Sequence, residues 1–287
     1  MKKARGITSI LLCAALAASM FTFAGCSKKA DTAVAPTGET KKIWKVGTEC
    51  AAAPYNWTQK DDSNGAVKIS DSNEYANGYD ITMVKKIADS MGYELQIVKT
   101  EWAGLPTGVT SGKIDSAVSG MSITSDRLKT LDFSDVYYKA TINALVKKGG
   151  KYESAKGIAD FKGASCTSQQ DTTWYELLKQ IPDAKILPAL ADVPTMVVAL
   201  KSGKCDVVFT DKPGAMAATY SNKDLVMVDL ANDKDLKVSD EDVNLGIALK
   251  KGNTDLKSKI DQALKGISEE DREKFMKDAI ENQPLAQ

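Results

Sequence analysis

Apolar residues follow two different spacings along the chain from Ile43 onward. In the segment 78–91, Ile81, Val84, Ile87 and Ala88 recur at steps of three and four residues, which is the period of an amphipathic helix. Shorter apolar runs without that period lie between the helical segments and are typical of buried strands. The pattern predicts strands over Ile43–Thr48, 93–99, 114–119 and 164–169, helices over 78–91, 102–112 and 193–200, and a polar surface loop over 61–77. This alternation of strands and helices predicts an open, largely parallel sheet.

A short motif occurs twice and divides the chain into two similar halves. The segments 111–115 (SGKID) and 202–206 (SGKCD) agree at four of five positions, and each connects an apolar helix to a short strand. Coincidence is the alternative, because Gly-Lys turns before strands are common, but the shared flanks favour two α/β lobes. Ligands of open α/β sheets bind outside the carboxyl ends of the strands. Those ends fall at Ser119-Gly120, Gln169 and Thr210-Asp211.

The N-terminus has the features of an export signal. Lys2, Lys3 and Arg5 precede the apolar segment 7–23, which is short for a membrane-spanning helix. The ending Gly25-Cys26 resembles a bacterial lipobox, so a lipoprotein signal peptide is predicted over 1–25 with lipid on Cys26. An ordinary secretory signal with an incidental cysteine is the alternative. The segment 26–42 has no apolar period and predicts a flexible tether.

Composition narrows the chemistry further. The chain has 38 basic and 38 acidic residues and no histidine, which argues against a nucleic-acid partner and removes Ser-His, Cys-His and His-metal sites. Cys50, Cys166 and Cys205 remain after the predicted signal and Cys26 are set aside, and their spacing is not that of a metal site. One disulfide with one free thiol is possible, and three buried thiols are the alternative. No metal and no cofactor is predicted.

The run 119–127 reads SGMSITSDR, and Thr124 in it can cap a short helix that carries Arg127. Together with 131–138 (LDFSDVYY) this run resembles the polar amino-acid-binding proteins among the bacterial extracellular solute-binding proteins, family 3. The resemblance implies a type II periplasmic-binding-protein-like α/β fold, in which each lobe is a largely parallel sheet flanked by helices. A hinge joins the lobes. Lobe 1 is predicted over 43–139 and 241–287, and lobe 2 over 140–240.

The resemblance also implies roles in ligand binding. Arg127 would bind the α-carboxylate of an amino acid, because its planar fork donates two parallel hydrogen bonds. Asp211 would bind the α-ammonium, although it could simply cap the helix that follows. Ser122, Thr172 and Thr173 would assist at the carboxylate, and Ser119 or Gly120 at the ammonium.

The remaining predicted site residues surround the ligand side chain. Trp102 and Tyr55 would form opposite walls, although both could instead be core aromatics. Glu49 occupies the position where the family often has an acidic residue at the side-chain end, and Gln169 lies at a strand end. Three positions after Glu49 the family often has an aromatic residue where this chain has Ala52, and Trp57 or another nearby side chain is predicted to fill that space. Asp171-Thr172 replaces a common Gly-Thr pair, and the Asp171 side chain is predicted to face away from the pocket.

The expected function is capture of an amino acid for import, without chemical change. Arginine or lysine is the favoured ligand because of Glu49 and the aromatic walls, followed by glutamine, and an aromatic amino acid would use the space at Ala52. An ABC permease and its ATPase are the implied partners of a monomer at the outer face of the cell membrane, or in the periplasm of a host with an outer membrane. The alternatives are a dehydratase-type enzyme on the same fold and a ligand-sensing surface lipoprotein.

Overall fold

The computed structural model describes residues 41–284. The predicted signal peptide 1–25, the lipid on Cys26 and nearly all of the tether 26–42 lie outside the described residues. Within 41–284, no helix combines the length and the apolar character that crossing a membrane requires.

Sixteen strands and eight α-helices make up the described chain. The strands are β1 Ile43–Thr48, β2 Ala51–Ala52, β3 Asn56–Gln59, β4 Val67–Lys68, β5 Tyr75–Asn77, β6 Glu94–Lys99, β7 Ser116–Ala117, β8 Leu131–Phe133, β9 Tyr138–Lys139, β10 Ile142–Lys147, β11 Ser165–Thr167, β12 Lys185–Ile186, β13 Val207–Asp211, β14 Leu225–Asp229, β15 Asn244–Leu245 and β16 Ala248–Lys250. The helices are α1 Tyr79–Met91, α2 Leu105–Ser111, α3 Thr173–Leu177, α4 Val193–Ser202, α5 Lys212–Ser221, α6 Asp240–Val243, α7 Thr254–Lys265 and α8 Glu269–Asn282. Short 3₁₀ helices cover Ser63–Gly65, Trp102–Gly104, Arg127–Lys129, Ile158–Phe161 and Leu178–Gln180.

Two five-stranded sheets form the centres of the two lobes. The first sheet has the order β6-β1-β7-β16-β8, and the second has the order β12-β11-β13-β10-β14. In the first sheet β16 runs antiparallel to both of its neighbours, and the other four strands are parallel to one another. In the second sheet β10 is the antiparallel strand. The predicted two-lobed α/β fold with largely parallel sheets is therefore confirmed.

The chain passes between the two sheets twice. It leaves the first sheet after β8 to enter the second at β10, and it returns between β14 and β16. Each connection contains one short strand, and these two strands, β9 and β15, pair antiparallel. The predicted lobe boundaries at 139/140 and 240/241 fall within these connections and remain a prediction.

The helix prediction over 78–91 corresponds closely to α1. Its buried face contains Ile81, Val84 and Ile87, and the helix packs against α7 and α8. Gly92 ends it with a φ of 68°, a left-handed conformation that glycine adopts without steric cost.

Two predictions about local structure are wrong. The segment 61–77 is not only a loop, because β4 and β5 lie within it and complete a four-stranded sheet of order β2-β3-β5-β4. Ile69 in that segment is 2% exposed, and a β-bridge joins it to Ile97 of the first sheet. The prediction failed because the segment is mostly polar and contains few buried residues. The strand predicted over 114–119 is shortened to β7, although Ile114 is still buried.

Candidate functional site

A cavity lies where the predicted strand ends of the two sheets meet. Ser119 and Gly120 follow β7, Gln169 follows β11 and Asp211 ends β13. The cavity is lined by Ala52, Ala53, Tyr55, Trp102, Ser119, Gly120, Ser122, Arg127, Gln169, Thr172, Trp174, Val193, Thr210, Asp211 and Gly214. Its position agrees with the rule that open α/β sheets bind ligands beyond the carboxyl ends of their strands.

Arg127 supplies a positive charge to the cavity. Thr124 Oγ1 accepts a hydrogen bond from the Arg127 backbone N–H at 3.1 Å, which fixes the start of the 3₁₀ helix on which Arg127 lies. The guanidinium donates to the carbonyls of Ser122 and Asp171, both at 2.7 Å. Among residues 41–284 no carboxylate lies within 4.0 Å of it, and burial lowers the pKa of Arg127. A partly buried cation with no anionic partner favours the binding of an anion.

Asp211 supplies the opposite charge. Asp211 is 1% exposed, and burial raises the pKa of its carboxyl to about 6. Oδ1 accepts a hydrogen bond from the Gly214 N–H at 2.9 Å, so Asp211 caps α5 as well as lining the cavity. A Cβ on Gly214 would lie 2.8 Å from both this oxygen and Thr210 Oγ1, so only glycine leaves the carboxylate in place.

Glu49 lies behind the cavity. Its carboxylate accepts hydrogen bonds from Gln169 Nε2, at 3.2 Å to Oε1 and 3.4 Å to Oε2, and Gln169 is the residue that lines the cavity. Burial raises the pKa of Glu49 to about 7, and the charge of nearby Asp192 adds to the effect. The Gln169 amide therefore separates the Glu49 carboxylate from the cavity.

Aromatic side chains form much of the cavity wall and connect the two lobes. The Trp102 ring lies 5.4 Å from the Arg127 guanidinium carbon, and its Nε1 donates to the Gln170 carbonyl at 2.8 Å. The Tyr55 hydroxyl donates a hydrogen bond to Asp211 Oδ2. Trp102 and Tyr55 belong to the lobe of the first five-stranded sheet, whereas Gln170 and Asp211 belong to the lobe of the second. Because both hydrogen bonds connect the two lobes, the described structure is a closed arrangement.

Nine of the twelve predicted ligand-binding residues lie around this one cavity, and three do not. Glu49 is covered by Gln169. Trp57 lies in the core of the small sheet, where its Nε1 donates to Gln59 Oε1 at 3.1 Å, and Val193 rather than Trp57 faces the space beside Ala52. Thr173 begins α3 and lines a neighbouring outer groove instead. The ligand-binding roles of all twelve residues remain predictions.

Asp171 is not among the lining residues of the cavity. The residue is exposed, has a φ of 56° and lines the outer groove. It contributes its backbone carbonyl, rather than its carboxylate, to Arg127.

Four lining residues were not predicted from the sequence. They are Ala53, Trp174, Val193 and Gly214. Val193 and Gly214 lie in the first turns of α4 and α5, so the polar caps Asp192 and Asp211 that precede these helices were the available signal.

The described residues contain no candidate metal site, and their three thiols are buried. No group of three or more Asp, Glu or Cys side chains within 41–284 has the arrangement of a metal site. Cys50, Cys166 and Cys205 are all unpaired and buried, which is the second of the two alternatives for the cysteines.

Comparison with known proteins identifies the family. Residues 45–278 match the bacterial extracellular solute-binding proteins, family 3. The chain belongs to this family. The predicted resemblance is thereby confirmed over most of the described chain.

Individual members of the solute-binding family are also similar. The chain is 32% identical over 200 residues to the ABC transporter glutamine-binding protein GlnH of Bacillus subtilis, a match covering 68% of this chain and 69% of GlnH. It is 28% identical, with a TM-score of 0.72, to an amino acid ABC transporter substrate-binding protein from Streptococcus pneumoniae bound to L-arginine, covering 83% of this chain and 94% of the other. It is also 28% identical, with a TM-score of 0.67, to the ancestral amino acid-binding protein AncCDT-1, described as a precursor of cyclohexadienyl dehydratase, covering 83% and 95%.

Proposed function

We propose that this chain captures a free L-amino acid between its two lobes and delivers it unchanged to a membrane permease. One observation carries the proposal: Arg127 and Asp211, of opposite charge, line the same cavity. A free amino acid carries a carboxylate and an ammonium on one carbon, so it satisfies both charges at once. Buried charges are costly unless they are paired, and this cost makes the site selective for a zwitterion.

The two ends of the amino acid would have distinct contacts. The carboxylate would receive hydrogen bonds from Arg127, Ser122 and the N-terminal turn of α3 at Thr172. The ammonium would donate to Asp211 and to the backbone at Ser119 or Gly120. A ligand that makes contacts with both lobes binds the closed form more tightly than the open form, and this difference in affinity drives closure.

Arginine or lysine is the proposed ligand, and glutamine is the next candidate. The Glu49 carboxylate would act on the ligand side chain either across the Gln169 amide or after Gln169 has moved. A cationic side chain would gain more from this carboxylate than a neutral one. The relative from S. pneumoniae that is bound to L-arginine and the glutamine-binding relative from B. subtilis support these two choices.

The proposal includes a lipid anchor on Cys26, a monomeric state, and a permease with its ATPase as partners. The anchor would hold the chain at the outer face of the cell membrane, where a captured amino acid is close to the permease. Family membership supports an extracellular location.

A thermal-shift screen of the chain without residues 1–26 would test the function. The protein is unfolded, dialysed and refolded to remove ligand from the expression host, then heated with each amino acid singly. A ligand at 100 times its dissociation constant should add about 2.7 kcal/mol to the free energy of unfolding. A rise in melting temperature with arginine or lysine supports the capture of a cationic amino acid, and a rise with glutamine alone retains the capture of an amino acid and discards the cationic ligand.

A dehydratase is the second candidate, since the AncCDT-1 relative is described as a precursor of such an enzyme. With no histidine in the chain, a Glu49 acid or base would have to act largely alone, and the Gln169 amide separates it from the cavity. If no amino acid raises the melting temperature, incubation with prephenate-like acids and detection of a product would favour this enzyme over the binding protein.

A further inference from the structure

A second buried carboxylate, that of Asp80, lies behind the ammonium side of the cavity. Asp80 is the second residue of α1, is 0% exposed, and is not among the lining residues. Its Oδ1 accepts a hydrogen bond from the Tyr137 hydroxyl at 2.7 Å, and its Oδ2 accepts one from Asn56 Nδ2 at 2.9 Å. Within 41–284 no lysine or arginine lies within 4.0 Å of it.

Both hydrogen-bond partners of Asp80 also contact residues that line the cavity. The Tyr137 hydroxyl accepts a hydrogen bond from the Gly120 N–H at 3.1 Å, and Asn56 Nδ2 also approaches Ser119 Oγ at 3.2 Å. The N–H of Gly120 and the carbonyl of Ser119 belong to one trans peptide and point in opposite directions. The hydrogen bond from the Gly120 N–H to Tyr137 therefore directs the Ser119 carbonyl away from Tyr137.

The residue whose N–H is anchored, Gly120, has a conformation that favours glycine. Its φ is 59°, a left-handed value that glycine adopts freely and that other residues adopt at a cost. A glycine has many alternative conformations, so the hydrogen bond from its N–H to Tyr137 selects one of them. The bond to Asp80 in turn fixes the position of the Tyr137 hydroxyl.

The charge of Asp80 also affects the cavity. Burial raises the pKa of Asp80 to about 6, and the negative charge of Asp211 contributes to the rise. The two carboxylates therefore repel each other. A cation placed beside Asp211 would be attracted to both of them, because electrostatic interactions are strong where water is excluded.

We propose that Asp80 is a positioning residue for the α-ammonium of the ligand. Through Tyr137 and Asn56 it orients the Ser119–Gly120 peptide, and its negative charge makes this side of the cavity selective for an ammonium. The inference rests on the proposed function and adds a residue that does not touch the ligand.

The test compares the affinities of the parent and of Asp80→Asn by calorimetry, with L-arginine and L-glutamine as probes. Their analogues without the α-amino group, 5-guanidinopentanoic acid and glutaramic acid, are measured beside them. Asn has nearly the same shape and its oxygen can still accept from Tyr137, whereas its amide nitrogen cannot accept from Asn56, so the variant removes the charge and one hydrogen bond. It should bind the amino acids about tenfold or more weakly and lose much of the parent's preference over the analogues. A change in folding alone would weaken amino acid and analogue equally.

Asp89→Asn is the matched control, since it removes the same charge from an exposed position of the same helix and should leave all affinities unchanged. If Asp80→Asn fails to fold, Tyr137→Phe tests the same route, because it retains the Asp80 charge and removes only the hydroxyl that holds Gly120. It should bind the amino acids several-fold more weakly.

Different outcomes separate the inference from the proposed function. A parent that binds an amino acid, with Asp80→Asn or Tyr137→Phe folded and equal to it in affinity and in preference, overturns the inference alone. A parent that binds neither probe nor any other amino acid overturns the proposed function and this inference with it.

Discussion

Gln169 Nε2 donates hydrogen bonds to both carboxylate oxygens of Glu49, at 3.2 and 3.4 Å, and a third to the Ala191 carbonyl at 3.1 Å. These contacts use the amide protons of Gln169 and leave its side-chain oxygen as an acceptor. A ligand that donates hydrogen bonds would therefore meet Gln169 before Glu49. The Glu49 charge acts on such a ligand either across Gln169 or after Gln169 has moved.

The first prediction concerns ligand preference. Glu49→Gln should weaken the binding of L-arginine by about tenfold or more, because hydrogen bonds to a charged group contribute about 1.5–3 kcal/mol. L-glutamine should lose less than about threefold, since a neutral amide gains less from a carboxylate. Calorimetry at pH 8, where Glu49 is mostly ionised, measures both, and the exposed Glu94→Gln is the control. Equal losses for the two ligands would show that Glu49 does not act on the side chain.

The second prediction concerns the carboxylate clamp. Arg127→Lys keeps the positive charge but loses the planar fork that donates to Ser122 and Asp171. Affinity for L-arginine or L-glutamine should fall about tenfold to a hundredfold, with little change in melting temperature. Lys129→Ala is the control, because its side chain is 73% exposed and forms only a surface ion pair with Asp126. An Arg127→Lys protein that binds as tightly as the parent would contradict the clamp.

Local signals and the resemblance to family 3 together predicted the charged pair of the site. A strand end located Asp211 and a cap at Thr124 located the helix of Arg127, and the resemblance of the run 119–127 implied the binding roles of both. The two residues belong to different lobes, and the cavity that both line lies beyond the carboxyl ends of strands from both sheets.

Contacts between distant segments could not be read from the same patterns. The Asp80–Tyr137 hydrogen bond joins residues 57 positions apart, and hydrophobic periodicity gives no information on such pairs. Trp57 lies outside the cavity because it is in β3 and pairs with β5 across the segment predicted to be a loop, a contact that the same patterns could not predict. Side chains that line a cavity from the first turn of a helix, such as Val193, depend on how the lobes close.

The third prediction concerns thiol reactivity. Burial raises the pKa of Cys50 and Cys166 to about 12 and that of Cys205 to about 11, and the thiolate is the reactive form. The folded protein without residues 1–26 should therefore react very slowly with Ellman's reagent, and the unfolded protein should release three equivalents at once. One equivalent on unfolding without reductant would instead reveal a disulfide between two of the three. Cys205→Ala lowers the expected count by one and serves as the control.

The fourth prediction concerns stability against pH. Burial raises the pKa of Glu49 to about 7 and that of Asp80 and Asp211 to about 6, whereas in the unfolded chain all three titrate near pH 4. Between pH 4 and 7 the folded protein thus binds more protons than the unfolded chain. The free energy of unfolding should fall as pH rises through that range, by about 2–4 kcal/mol from pH 5.5 to pH 7.5.

Urea denaturation of the ligand-free protein at pH 5.5, 6.5 and 7.5 measures this slope. No histidine contributes to the slope in this pH range, because the chain has none. The pKa values of the exposed carboxyls Asp126 and Asp255 are lowered by their hydrogen bonds to Lys129 and Lys259, which is the opposite direction from the three buried carboxyls. Glu49→Gln should flatten the part of the slope nearest pH 7. Bound amino acid should oppose the whole slope, because its ammonium favours the ionised Asp211, so ligand should stabilise the protein more at pH 7.5 than at pH 5.5. A stability that rises with pH in the absence of ligand would mean that these carboxyls are paired or hydrated in solution.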